Sequence, residues 1–201
     1  MLRVLIAGLF VWVMFNSPVL AQTGKTAVFD LVSLFSSWSG DDVDSAISQA
    51  AAKHIDFAGM AEHALGTVQW EQLGPSKKRE FVATFRKLVE HRYYHRWHKI
   101  FKKGKLTWLG EANAAGDTIV KTLLTVGKKK DPVVWRLRLV DGDLKVLNLS
   151  VGDKDLLQRL NARFQRHLQK DGFDGLMAWL KDKLDEDDEP ETSSTVSILV
   201  Q

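Results

Sequence analysis

The chain has 201 residues, 45% of them apolar and 26% charged, and a formal net charge of +3. Those proportions describe a globular chain and exclude a disordered or membrane-embedded one. The absence of cysteine excludes a disulfide framework, a thiolate metal site, a cysteine nucleophile and a lipid anchor on an N-terminal cysteine.

Residues 1–21 read as an export signal. Met1 and Arg3 give a positive start, residues 4–15 are apolar, and Asn16, Ser17 and Pro18 interrupt the run. Val19-Leu20-Ala21 then supplies compact residues before a cut after Ala21. A membrane span needs about 20 predominantly apolar residues, so this stretch is short for an anchor. Cleavage leaves one domain over 22–184 and an acidic tail over 185–201. An exported chain without cysteine fits a bacterial periplasm, and no later segment is apolar enough for stable membrane insertion.

Apolar residues spaced 3 and 4 apart predict an amphipathic helix over 27–38, through Val28, Leu31, Val32, Leu34, Phe35 and Trp38. An Ala-rich helix is expected over 43–53. Asp41, Asp42 and Asp44 stand at its start, where carboxylates favour the dipole. A short helix over 54–65 takes Asp56 as N-cap, with Gly66 just past its last turn. After a turn at 73–76 the longest helix is expected over 77–102, with Phe81, Phe85, Leu88, Val89, Tyr93, Trp97 and Ile100 on one broad face.

The period then changes from helical to alternating. A short strand is expected over 105–109, and longer ones over 118–126, 133–140 and 144–151. Asp141-Gly142 makes the hairpin turn between the last two. Helix resumes over 153–170, Asp171-Gly172 caps it, and a last helix covers 173–184. Helices, then an antiparallel meander, then helices, define an α+β fold.

Charge is uneven along the chain. Residues 75–105 hold 11 bases against two acids, Glu80 and Glu90, while residues 181–201 hold seven acids and two bases. The acidic end reads as a solvated extension. A basic helix face suits anionic lipid headgroups or an acidic partner, and export sets nucleic acid aside.

His91, His95 and His98 fall at i, i+4 and i+7, a spacing that can hold zinc or copper on one helix face. The run His91-Arg92-Tyr93-Tyr94-His95 lacks the glutamate of a metalloprotease helix, and Arg92, Arg96 and Lys99 repel a cation. No metal is assigned. Without a phosphate loop, a serine elbow or a dinucleotide fingerprint, neither catalysis nor a cofactor is expected. Six Trp and eight Phe beyond the signal are spread over nearly every element. Periodicity places them inside but leaves open whether that interior is filled or hollow.

The stretch Ile55-Asp56-Phe57-Ala58-Gly59-Met60-Ala61, Ala64-Leu65-Gly66 and Trp70 is followed by Lys78-Arg79-Glu80-Phe81, Phe85-Arg86-Lys87-Leu88-Val89 and Tyr93. Together these resemble the MlaC family, the toluene-tolerance proteins that carry phospholipid in the periplasm of Gram-negative bacteria. Trp135-Arg136-Leu137, Leu144-Lys145-Val146, Leu156, Phe164 and Gly172-Phe173-Asp174-Gly175-Leu176 keep the family's order. The likeness covers residues 27–184. It departs where Leu144-Lys145-Val146 and Asn148 replace the family's Trp-Lys-Val and Asp, where Gly152-Asp153 replaces Glu-Gly, and where Leu160-Asn161 replaces Tyr-Arg.

The resemblance implies a curved, NTF2-like antiparallel sheet packed with several helices around an apolar pocket. It implies as cargo a phospholipid, or a related lipid such as a hopanoid. The carrier would move lipid between an inner-membrane ABC transporter complex and an outer-membrane complex, maintaining outer-membrane lipid asymmetry. The candidate lipid-binding residues are those on the inward stripes: Phe57, Met60, Phe81, Phe85, Leu88, Val89, Tyr93, Val120, Leu124, Trp135, Leu137, Val146, Leu157, Leu160 and Phe164. Arg92, Arg96 and Lys99 are the candidates for a headgroup phosphate. Burying one methylene is worth about 0.8 kcal/mol, so a tail of about 15 gains roughly 12 kcal/mol before ordering costs. A lipid so held leaves only onto a partner offering an equally apolar path. The alternative is a periplasmic interaction module that docks an acidic partner through the basic helix 77–102 and carries no lipid.

Overall fold

Alternation of apolar and polar residues from position 105 onward builds a five-stranded antiparallel sheet whose spatial order follows the chain, β1-β2-β3-β4-β5. The structure is a computed structural model that describes residues 22–41, 43 and 45–185. The expectations for the export signal, for Asp42 and Asp44, and for residues 186–201 lie outside the described residues.

The strands are β1 (Lys105–Ala114), β2 (Asp117–Val126), β3 (Lys129–Val140), β4 (Asp143–Val151) and the two-residue β5 (Lys154–Asp155). Val120, Leu124, Val133, Trp135, Leu137, Leu149 and Val151 are buried on the face turned toward the helices. Trp135 brings a polar atom into that face, and its indole N–H donates to the Thr122 hydroxyl at 2.9 Å. The opposite face carries Arg136 and Arg138, both paired with the Asp117 carboxylate. Register slips between Trp108 and Gly110 and between Arg136 and Leu137. Each slip inserts a residue and bends its strand.

The helices are α1 (Gly24–Ser37), α2 (Ser45–Ala52), α3 (Phe57–Leu65), α4 (Thr67–Gln72), α5 (Pro75–Lys103) and α6 (Leu156–Asp185). Pro75 opens α5 with its φ already helical, and Lys102 and Lys103 in its last turn suit the negative end of the dipole. Asp56 caps α3 as expected, its carboxylate accepting from the Gly59 N–H at 2.9 Å. Gly59 lets α3 lie against β4, because a Cβ there would stand 2.8 Å from Leu147 Cδ1.

Four boundaries differ from the sequence expectation. The strand expected over 105–109 continues to Ala114, because the bulge at Gly110 breaks the alternation without breaking the pairing. Residues 54–56 are not helical, since Ile55 pairs with Val146 as an isolated parallel bridge. The six-residue α4 follows α3 directly. The helix expected from 153 begins at Leu156, because Lys154 and Asp155 are held by β4. The two expected C-terminal helices form one element broken at Gly172, whose φ of 68° and ψ of −168° turn the chain. Among the described residues no helix is long and apolar enough to cross a membrane.

Candidate functional site

Helices α1, α3, α5 and α6 meet the sheet along an apolar seam. Leu31 from α1, Ile55 and Met60 around the start of α3, and Trp97 and Phe101 from α5 form one wall. Trp135, Val146 and Leu149 from the sheet and Leu156 from α6 form the other, with Asn148 at the margin. The cavity they enclose is about 10 Å³, the space of a single water. The aromatic rings close on one another: Phe35 lies edge-on to Trp97 at 5.2 Å, and Phe101 lies 6.2 Å from Trp135.

All fifteen candidate lipid-binding residues are buried, and they divide by place. Met60, Trp135 and Val146 line the seam. Phe81, Phe85 and Phe164 form a separate aromatic cluster between α5 and α6, with centroids 6.0 to 6.3 Å apart. Leu157 borders a second cavity. Phe57, Leu88, Val89, Tyr93, Val120, Leu124, Leu137 and Leu160 belong to the contiguous core and border neither cavity. The seam also takes in Leu31, Ile55, Trp97, Phe101, Leu149 and Leu156, which the sequence reading left out of the site. Leu31, Trp97 and Leu156 stood on its stripes, but a stripe gives the inward direction and not the neighbour across the gap.

The second cavity is a polar cleft of about 340 Å³ between α3, α6 and the sheet. His63 and Asn161 line one side and Arg136, Asn148 and Asp155 the other, with Leu147, Leu157 and Gln158 completing it. The Asp155 carboxylate accepts from Asn148 at 2.8 Å, from the Ser150 hydroxyl at 2.9 Å and from the Gln158 N–H at 2.9 Å. Two bonds tie α6 to the end of α3. Asn161 donates to the Ala64 carbonyl at 3.0 Å and Gln165 to the Leu65 carbonyl at 2.8 Å.

The candidate headgroup residues Arg92, Arg96 and Lys99 border neither cavity. Lys99 is exposed, while Arg92 and Arg96 are half-buried near Tyr93. Burial pushes the Tyr93 phenol above its ordinary value, and Arg163, Arg96, Arg92 and Arg159 oppose that shift. Burial also raises Tyr94, reinforced by Glu90. Its hydroxyl is buried without a hydrogen-bond partner.

The three histidines do not converge. His98 is buried and donates Nδ1–H to the Phe35 carbonyl at 2.9 Å, and His95 packs 5.1 Å from the Trp38 ring. Among the described residues no three metal-ligating side chains are gathered as a metal site would require.

One open antiparallel sheet, covered on one face by helices that leave an apolar seam, defines the class: an α+β protein with its candidate site between two layers. The chain belongs to the MlaC family, whose model, described as MlaC protein, matches residues 36–182. The fold is shared with the solved structure of a phospholipid-binding protein from Ralstonia solanacearum in complex with a phospholipid. The two are 18% identical with a TM-score of 0.67, over 80% of this chain and 93% of that one. Among curated proteins, none matches.

Proposed function

We propose that the chain is a lipid carrier that takes phospholipid acyl chains between its helices and its sheet. In this reading residues 1–21 export it to the periplasm, residues 22–184 are the carrier domain, and it exchanges cargo with complexes at the two membranes. The observation that carries the reading is the continuous apolar lining of the seam in a chain of the MlaC family. The Ralstonia protein, of the same fold and bound to phospholipid, supports it.

A cavity of about 10 Å³ does not accept an acyl chain as it stands, so loading requires the two walls to part. The contacts to be exchanged are apolar on both sides and non-directional, so hydrocarbon replaces side chain against side chain without exposing either to water. What resists parting is polar and local. The Asp56 N–H donates to the Val146 carbonyl at 2.9 Å, and the Val146 N–H donates to the His54 carbonyl at 2.7 Å. Each tail of about 15 methylenes returns roughly 12 kcal/mol, more than two such bonds hold at about 1 kcal/mol each.

Protein purified from cells and analysed by native mass spectrometry, with organic extraction, tests the reading. A bound mass equal to a phospholipid is expected. Folded, delipidated protein that ignores added phospholipid vesicles overturns it.

The small volume of the seam favours one rival. In that reading the interior stays solid and the exposed Lys87, Lys99, Lys102 and Lys103 of α5 dock an acidic partner. Salt-sensitive capture of such a partner by protein without extractable lipid would select it.

A further inference from the structure

The apolar seam and the polar cleft share a wall one residue thick. Asn148 borders both. On either side of it the chain alternates between them: Leu149 and Leu156 face the seam, and Leu147 and Leu157 face the cleft. A molecule with hydrocarbon in the seam therefore has its polar end within reach of the cleft. At about 340 Å³ the cleft is the size of a small-ligand pocket, for which roughly 300–1,000 Å³ is usual.

The charges in the cleft are of both signs and are not paired with each other. Arg136 uses Nε on the Asp117 carboxylate, at 2.5 Å, which leaves its two terminal nitrogens as donors. Asp117 is shared with Arg138, so the group on the far side of Arg136 carries two cations and one anion. Asp155 is held by three neutral donors, and among the described residues it has no cationic partner. Asn148 keeps the two apart. It is the cross-strand partner of Arg136 in β3, and its side-chain amide bonds Asp155. His63 donates Nδ1–H to the Gly59 carbonyl at 2.9 Å, which leaves Nε2 as an acceptor. The cleft thus offers a donor fork at one end and acceptors at the other.

We propose that this cleft is the headgroup subsite of the carrier and that it favours a zwitterionic, phosphoethanolamine-type headgroup, with the phosphate on Arg136 and the ammonium on Asp155 and His63. The assignment rests on the lipid-carrier reading. It moves the headgroup away from Arg92, Arg96 and Lys99. An all-cationic site would favour anionic headgroups, whereas Asp155 repels a second negative charge and rewards a positive one.

The test uses the full chain, delipidated and incubated with vesicles of equal parts phosphatidylethanolamine and phosphatidylglycerol carrying the same acyl chains. Extraction of the recovered protein gives the ratio of the two lipids. The wild type is expected to take phosphatidylethanolamine in about tenfold excess, the factor that 1.4 kcal/mol of discrimination gives. Asp155→Asn keeps an oxygen for the Gln158 N–H but removes the charge, and it should bring the ratio close to one. Gln158→Lys changes an exposed side chain on the cleft, so it leaves the fold intact and should tip the ratio toward phosphatidylglycerol. Equal uptake by the wild type, or a ratio that neither variant moves, overturns the assignment. A chain that takes up neither lipid brings down the carrier reading itself, a different result from loading without preference.

Discussion

The two halves of α5 are equally apolar inside and do different work. In the first half Phe81 and Phe85 pack against Phe164 and Phe173 of α6, and neither borders a cavity. In the second half Trp97 and Phe101 meet α1 and the sheet and line the seam. Complete burial is common to both, so burial alone does not mark a place where a ligand can enter. What distinguishes the second half is its neighbour. Helix against helix through interlocking rings makes a solid joint, whereas helix against a bent sheet leaves a gap that side chains only just close.

The sharpest way to break that comparison is to hollow out each half in turn. Phe85→Ala should cost about 3–5 kcal/mol in urea unfolding, because the aromatic cluster cannot collapse around the loss. Added lipid should not restore it. Leu149→Ala, in the seam, should cost about 2–5 kcal/mol without lipid, while lipid at 100 to 1,000 times its Kd should return roughly 3–4 kcal/mol. Equal rescue of both variants would erase the distinction between the halves.

A smaller effect is expected from fastening the seam. Ile55 and Val146 are bridge partners, close enough for a disulfide, and the chain has no other cysteine to interfere. The oxidised Ile55→Cys/Val146→Cys variant should load lipid about tenfold more weakly if the parted state becomes that much rarer. Reduction should restore loading, as read by lipid recovered per folded protein. Unchanged loading in the oxidised form would show that the walls part elsewhere.

The smallest change concerns the only buried side-chain polar atom without a partner among the described residues, the Tyr94 hydroxyl in the second half of α5. Tyr94→Phe removes an unsatisfied group and keeps the ring against Phe35, 4.8 Å away. The variant should be more stable by about 1 kcal/mol. A loss of stability would mean that the hydroxyl has a partner in solution.

Much of the fold was legible in the sequence because its signals are local. The period of 3 to 4 through Leu31 and Phe35, the cap at Asp56 and the alternation of Val133, Trp135 and Leu137 each depend on residues close in sequence. The missed pieces depend on distant ones. Lys154 and Asp155 read as the start of a helix until Ser150 and Val151 lie beside them. Gly110 reads as the end of a strand until β2 carries the pairing past it. The site shows the same limit more strongly. Inward direction was readable for Phe81 as for Met60, but only the tertiary arrangement puts Met60 beside a gap and Phe81 beside Phe164. The polar cleft was not legible at all, since His63, Arg136 and Asp155 belong to α3, β3 and β5 and form no motif along the chain.

The reversal at Gly172 has a consequence for how the molecule comes apart. It returns the end of α6 to the beginning of α5, where Lys77 meets Asp174 and Lys181 meets Glu80, each at 3.1 Å, across 97 and 101 residues of chain. These are solvent-exposed ion pairs, worth about 0–1 kcal/mol each and weakened by salt. A clasp that joins points so far apart pays the largest entropy of closure for the weakest polar fastening. Native-state fluctuations should therefore begin at this clasp, and the amides of residues 173–185 should exchange with solvent sooner than those of β2 and β3.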